Sequence, residues 1–467
     1  MPAVHAPPTR HFLLLATLAL SGASYSLLQS LVAPALPELQ RELGASPTAV
    51  AWIFTAYLLS ASIAAPIAGR IGDMFGKKKT LLFSIGALAV GSLIAALATT
   101  LPLMIGGRAI QGIAGAVFPL AYGIIRDELP RERVASGIAL ISTLLGIGGG
   151  LGIILSGPII AHLSYHWLFW IPLIAVIVAG AATLLFVPES QQRTPGRISW
   201  AGAALLSAWL VCLLLGVSEG PRWGWASGPT LGLFATTAVL VVAWVRVEER
   251  APVPLVDMRM LRLRGVWTTN LATLLIGYGM FATFILVPQF VELPRSTGFG
   301  FGASVTQAGL FLLPASVAML VVSPLTGRIS NAIGAKVPLV LGATISTASF
   351  LLLAFAHSEP WQLYVATTVM GIGIGFAFAS MTNLIVEAVP REQTGVASGM
   401  NSIMRSIGSS IGSQLSASII AGNLLASGLP GERGFTLAFA LCAAVLIIGT
   451  GAAVAVPARL HRSGAAA

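Results

Sequence analysis

Apolar runs of about 20 residues, the length an α-helix needs to cross a bilayer core, follow one another along almost the whole chain. Fourteen such runs are predicted as spanning helices: 12–34, 48–68, 80–98, 102–125, 134–160, 167–187, 199–217, 230–246, 265–288, 304–326, 337–356, 361–386, 395–421 and 435–456. Each is far too long for a barrel strand, and in lipid only a helix satisfies its own backbone groups within one segment. The predicted fold class is therefore an all-α polytopic membrane protein.

Composition fixes the solvent. Hydrophobic residues make up 56% of the chain and charged residues 9%, with a mean hydropathy of +0.89. An ordinary soluble domain is about 25% charged. The net charge of +10 does not point to nucleic acid, because the basic residues sit in short loops between apolar runs. Of 26 lysines and arginines, 20 fall in alternate loops on one side, four on the other, and Arg108 and Arg405 lie within runs. Basic loops stay in the cytoplasm, so both termini are expected there, which requires an even number of spans. The run Phe12–Ala33 is too long for a cleaved leader and is expected to be the first span. Cys212 and Cys442 both lie in apolar runs and imply no disulfide framework.

The chain repeats itself. Gly69-Arg70-Ile71-Gly72-Asp73-Met74-Phe75-Gly76-Lys77-Lys78 follows the second run, and Gly327-Arg328-Ile329-Ser330-Asn331-Ala332-Ile333-Gly334-Ala335-Lys336 follows the tenth, 258 residues later. A second pair, Leu129-Pro130-Arg131-Glu132 and Val389-Pro390-Arg391-Glu392, recurs at 260 residues. Both pairs fall on the basic side, so the halves read as parallel repeats. The expected domains are a six-helix bundle in 1–190, an inserted helix pair in 191–250 and a second six-helix bundle in 251–467.

Two six-helix halves carrying the Gly69/Asp73/Gly76/Lys77 pattern resemble the major facilitator superfamily. The inserted pair resembles its fourteen-helix drug:proton antiporter branch, that of multidrug-resistance efflux transporters. Arg108-Ala109-Ile110-Gln111-Gly112 fits the superfamily's fourth-helix arginine motif. Gly148, Gly152 and Gly157 fit the branch's fifth-helix antiporter motif, whereas Ile153 stands in place of its proline. Leu28 stands where this branch often carries an aspartate. The resemblance implies alternating access by a rocker-switch motion of the halves.

The residues suggest roles within that frame. Asp73, read as lying in a loop just past the second span, can cap a neighbouring helix N-terminus or pair with a base, which would make Gly69, Arg70, Asp73, Gly76 and Lys77 a switch. Arg328 is its counterpart in the second repeat. Asp127 and Glu387 are repeat equivalents at helix tips; surface pairing is the plain reading and a share in the gate the alternative. Arg108 lies about 9 Å inside the fourth span and Arg405 about 15 Å inside the thirteenth. A cation at such depth faces a cavity or a partner, so both are candidates for substrate binding or proton coupling, with structural bonding to carbonyls as the alternative. Helical spacing groups Arg108, Gln111, Gly115, Phe118 and Tyr122; Asn270, Thr273, Gly277, Phe281 and Phe284; Asn401, Arg405, Gly408 and Gly412; and Tyr25 with Gln29. From these, Tyr25, Gln29, Gln111, Phe118, Tyr122, Asn270, Phe281 and Asn401 are the candidate cavity residues, with helix packing the competing explanation.

No metal-ligand cluster, nucleotide loop or nucleophile constellation stands out, so neither an enzyme nor a cofactor is expected. All 16 acidic residues lie in loops or at helix ends. A proton carrier would then be a boundary acid such as Glu38, Asp127 or Glu387, or a histidine such as His162 or His166. The expected function is export of small, largely apolar or amphipathic compounds in exchange for protons. The expected setting is a bacterial-type inner membrane, with lipid, a small-molecule substrate and protons as partners, no nucleic acid, and a monomeric chain. The alternatives are a transporter of a specific anionic metabolite with Arg405 as counter-charge, and a non-transporting membrane receptor.

Overall fold

The computed structural model describes residues 8–32, 34–45, 47–190 and 199–458. The expected boundary at 190/191 and the basic residues Arg193, Arg197, Arg459 and Arg462 fall partly or wholly outside these residues. Seventeen α-helices form the described chain: α1 (Pro8–Leu31), α2 (Leu36–Glu42), α3 (Pro47–Phe75), α4 (Lys77–Leu97), α5 (Leu101–Gly112), α6 (Val117–Glu128), α7 (Arg131–His162), α8 (Trp167–Phe186), α9 (Trp200–Trp223), α10 (Gly228–Arg250), α11 (Met258–Arg262), α12 (Arg264–Glu292), α13 (Val305–Ile333), α14 (Lys336–Phe355), α15 (Pro360–Ala388), α16 (Thr394–Ala421) and α17 (Glu432–Ala455). Thirteen helical segments among the described residues are long and apolar enough to cross a membrane, α5 and α6 counting as one. Helix α16 is as long as these, but Ser, Gly, Asn and Arg lower its hydropathy. Large apolar side chains such as Leu185 and Phe355 are 76% and 85% exposed, a surface that only lipid can cover.

Two helix ends differ from expectation. The second span was placed at 48–68 with Asp73 in a loop beyond it; helix α3 instead continues through Asp73 to Phe75. The tenth was placed at 304–326, yet α13 continues to Ile333. Polar and charged residues do not end a helix whose backbone bonds continue. What ends both is a glycine with positive φ, +121° at Gly76 and +92° at Gly334, a conformation that costs other residues strain. These two breaks are 258 residues apart.

The helices pack as two groups. In the first, α1 lies on α7 and α8, α4 on α5 and α8, and α3 on α5; in the second, α12 lies on α16 and α17, and α14 and α13 on α15. The groups meet along two seams, α3 with α16 and α7 with α13. The hairpin α9–α10 forms a smaller core of its own with the connector to α12. Its Trp209 and Trp244 rings lie 5.9 Å apart, and Glu248 accepts the Val256 amide at 3.2 Å. That core continues into Val396, Met400 and Ile403 of α16, so the hairpin is seated against the α3–α16 seam. Trp225 at its tip donates to the Ser418 hydroxyl at 3.1 Å.

Candidate transport cavity and gate

At the basic end of the bundle a buried charge cluster joins the groups. Lys77 is fully buried and its ammonium lies 2.7 Å from Asp127 Oδ2 and 3.7 Å from Asp73 Oδ1. The Ser190 hydroxyl donates to Asp127 at 2.6 Å. Asp73 in turn accepts the Gly395 and Val396 amides at 3.4 and 3.2 Å, so it caps the N-terminus of α16 from across the seam. These are first-turn donors with no partner inside their own helix, and the helix dipole favours an anion there. Arg126 adds bonds to the Val389 carbonyl at 2.8 Å and the Thr394 hydroxyl at 2.6 Å. On the second seam Asn331 donates to the Glu132 carbonyl at 2.6 Å and Ser323 to the Ala139 carbonyl at 2.8 Å.

The expected repeat partners of this cluster behave differently. Asp127 is not a surface residue: Lys77 reaches it from the start of α4, a contact between positions 50 apart that no local spacing predicts. Glu387 and Arg328 are exposed, and among the described residues no hydrogen bond or ion pair joins either to the other group. Arg70 is buried beside Asp73, its Nε without a partner. The close approach that lets Asp73 reach α16 depends on Gly69 and Gly395. A Cβ on Gly395 would lie 2.6 Å from the Gly69 carbonyl oxygen, well inside contact distance. Gly395→Ala is expected to force the seam apart and cut turnover about tenfold or more, since losing roughly 1.4 kcal/mol from one conformer is a tenfold shift. Initial-rate transport in proteoliposomes checks this; an unchanged rate would show that the seam need not close this tightly.

Between the seams lies a cavity of about 200 Å³. Both groups line it. Tyr25, Gln29 and Phe118 come from the first, Phe281, Phe284 and Arg405 from the second, and Leu214 from the hairpin helix α9. Four of the eight expected cavity residues are thus in the wall: Tyr25, Gln29, Phe118 and Phe281.

The other four are not among the lining residues, each for a local reason. The expected stripe on the fourth span is divided by a 3-10 turn at Ile113–Ala116, which changes the angular phase between α5 and α6. Gln111 consequently points into the first group, accepting from Arg108 at 2.7 Å and donating to Ser92 at 2.9 Å. Tyr122 is buried, its phenol oxygen accepting from Ser142 at 3.1 Å. Asn401 donates to Asn270 at 2.9 Å and Thr273 at 2.8 Å, which ties α16 to α12. The Asn401/Gly408/Gly412 stripe is therefore a packing face. The cavity face of α16 is the neighbouring stripe Ser402, Ser406, Ser409 and Ser413, which the sequence reading did not single out.

The two membrane arginines part company. Arg108 is fully buried within the first group. It donates to the Ile53 carbonyl at 3.2 Å and the Leu28 carbonyl at 3.4 Å, and lies 4.2 Å from the centroid of the Tyr57 ring. It reaches the backbone of Leu28, the position where an acid was missing from the sequence pattern. Arg405 lines the cavity, donates to Ser402 at 3.3 Å and lies 5.4 Å from the Phe378 ring. Of the other groups considered as proton carriers, Glu38 pairs with Arg41 at the opposite end, and His166 Nδ1 lies 2.8 Å from the Ala96 carbonyl.

The Major Facilitator Superfamily matches residues 18–413 and 301–466 of the chain. A tetracenomycin C resistance and export protein of Streptomyces glaucescens is 27% identical over 375 residues, 79% of this chain and 69% of that one. Multidrug resistance protein 3 of Bacillus subtilis is 27% identical over 380 residues, 80% of this chain and 72% of that protein. The crystal structure of the human organic anion transporter MFSD10 superposes with a TM-score of 0.68 at 17% identity, covering 96% of this chain and all of that one, a likeness of fold. With matches that together run from the first helix to the last, this chain belongs to the Major Facilitator Superfamily, among relatives named for antibiotic export and multidrug resistance.

Proposed function

We propose that the chain is a secondary active transporter of the inner membrane that exports small amphipathic compounds by alternating access, in exchange for protons. In this reading α16 is the fourteenth spanning helix, its low hydropathy being that of a cavity wall. The basic end is cytoplasmic, and residues 1–190 and 251–467 are two parallel repeats around the inserted hairpin. The matching glycine breaks at Gly76 and Gly334 support the repeat.

One observation carries the reading: a cavity lined by both groups of helices, with bonds that cross between the groups at the basic end, which we read as its seal. Such a cavity, apolar with a few orienting polar groups, suits drug-sized ligands. The seal at one end describes one of the two conformers that alternating access needs. With no carboxylate among the described lining residues, we assign the proton to Asp73, the buried acid whose bonds cross to α16. Coupling then acts on the gate itself, since protonating Asp73 weakens its hold on α16.

Proteoliposomes with an acidic interior are expected to accumulate substrate dyes above protein-free vesicles, and an imposed potential at equal pH is expected to do so much less. Equal accumulation under both conditions would remove protons from the mechanism. No accumulation of any neutral, cationic or anionic dye would end the transport reading.

A further inference from the structure

Resting on the export reading, we propose that the substrates are anionic amphiphiles, held by an acidic oxygen group against Arg405 and the serine stripe of α16. Arg405 is the single charged side chain among the described residues that line the cavity. Its hydrogen-bond partner is a neutral hydroxyl, Ser402 at 3.3 Å, and among the described residues no carboxylate pairs with it. The ionisable side chains that face it are the phenols of Tyr25 and Tyr122. An arginine deep in a membrane protein is costly unless a counter-charge meets it, and none does among the described residues. The vacant counter-charge is the substrate's to bring.

The surroundings fit that assignment. Ser402 and Ser406 place hydroxyls on the face of α16 beside the guanidinium, donors suited to carboxylate, sulfonate or phenolate oxygens, while the Ser409 hydroxyl donates to the Arg405 carbonyl at 2.7 Å. The wall is also aromatic: Phe281 and Phe284 meet edge to face with centroids 6.1 Å apart, and Tyr25 and Phe118 do so at 5.9 Å. A flat apolar body would lie among these rings while its acidic end points to α16. Arg108 strengthens the bias. Among the described residues it too has no carboxylate partner, and it lies against the Tyr57 ring, whose neighbour Tyr25, 5.9 Å away between centroids, lines the cavity. Two uncompensated positive charges in a medium of low dielectric disfavour a cation at this site and favour an anion.

The test uses two dyes of one xanthene skeleton, anionic fluorescein and cationic rhodamine 6G, binding to the purified full-length chain in detergent by fluorescence polarisation. Wild type is expected to bind fluorescein roughly tenfold or more tightly than rhodamine 6G, the size expected of one charge-assisted contact. Arg405→Gln should erase that preference and Arg405→Lys should retain part of it. Ser402→Asp, which supplies an acid beside Arg405, should reverse it. Should Arg405→Gln fail to fold, the wild-type preference and Ser402→Asp still decide. Equal or tighter binding of rhodamine 6G by wild type, or a preference unchanged in both Arg405→Gln and Ser402→Asp, overturns the anion assignment and leaves export standing. If neither dye binds wild type and vesicles move no dye of any charge, the export reading fails and takes this inference with it.

Discussion

Asp73→Ala is expected to lower transport at least tenfold while leaving a folded protein. The substitution removes the acceptor for the Gly395 and Val396 amides and with it the cap on α16. Hydrogen bonds to a charged acceptor contribute about 1.5–3 kcal/mol, so the conformer sealed at the basic end loses roughly 10- to 150-fold in relative population. Folding survives because Lys77 keeps its closer partner, Asp127, at 2.7 Å. The loss should be of one conformer rather than of the structure. A cysteine placed at Ser406, on the cavity wall, therefore becomes more reactive to an impermeant maleimide applied from the basic side. Unchanged labelling and unchanged transport together would show that the cap does not hold the gate.

Lys77→Met acts on the other side of the same balance and is expected to be worse for folding than any other single change in the cluster. It leaves Asp73 and Asp127 buried without their shared ammonium, and an uncompensated buried charge costs about 3–5 kcal/mol. Pairing it with Asp127→Asn removes one of the stranded carboxylates, so the double variant should regain much of the lost stability. The double-mutant cycle measures that coupling, expected at about 1–3 kcal/mol for groups in direct contact. Thermal unfolding in detergent supplies the three differences. Strict additivity would mean that the two side chains do not interact as placed.

Much of the architecture was legible because the bilayer imposes a length. Apolar runs marked the helices, and basic loops marked one face. The polar run 395–421 was read as a helix even though its hydropathy falls below that of the other thirteen. Helix ends were the weak point. Asp73 and Asn331 look like loop residues by polarity, yet both lie inside helices that end only at Gly76 and Gly334. The site was half legible. Tyr25, Phe118 and Phe281 were placed on the cavity wall by periodicity, and Arg405 by its charge deep within an apolar run. Gln111 did not, because a 3-10 turn reset the phase of its helix, a change that spacing cannot reveal. The Lys77–Asp127 pair was hidden for the opposite reason, as contact between distant positions. The serine stripe of α16 was present as spacing at 402, 406, 409 and 413, but Asn401, Gly408 and Gly412 on the adjoining face carried the same period and were read as the cavity side instead.

The seating of the α9–α10 hairpin has a kinetic consequence. Leu214 reaches the central space and Trp225 is tied to Ser418, so α16 cannot swing on α3 without either carrying the hairpin along or sliding past it. The motion therefore involves three moving bodies, and the third is bathed in lipid along α10. Drag from the surrounding acyl chains enters the barrier to interconversion while adding nothing to the affinity of either conformer. Stiffer bilayers should slow this protein's cycle and leave its equilibrium constants where they were.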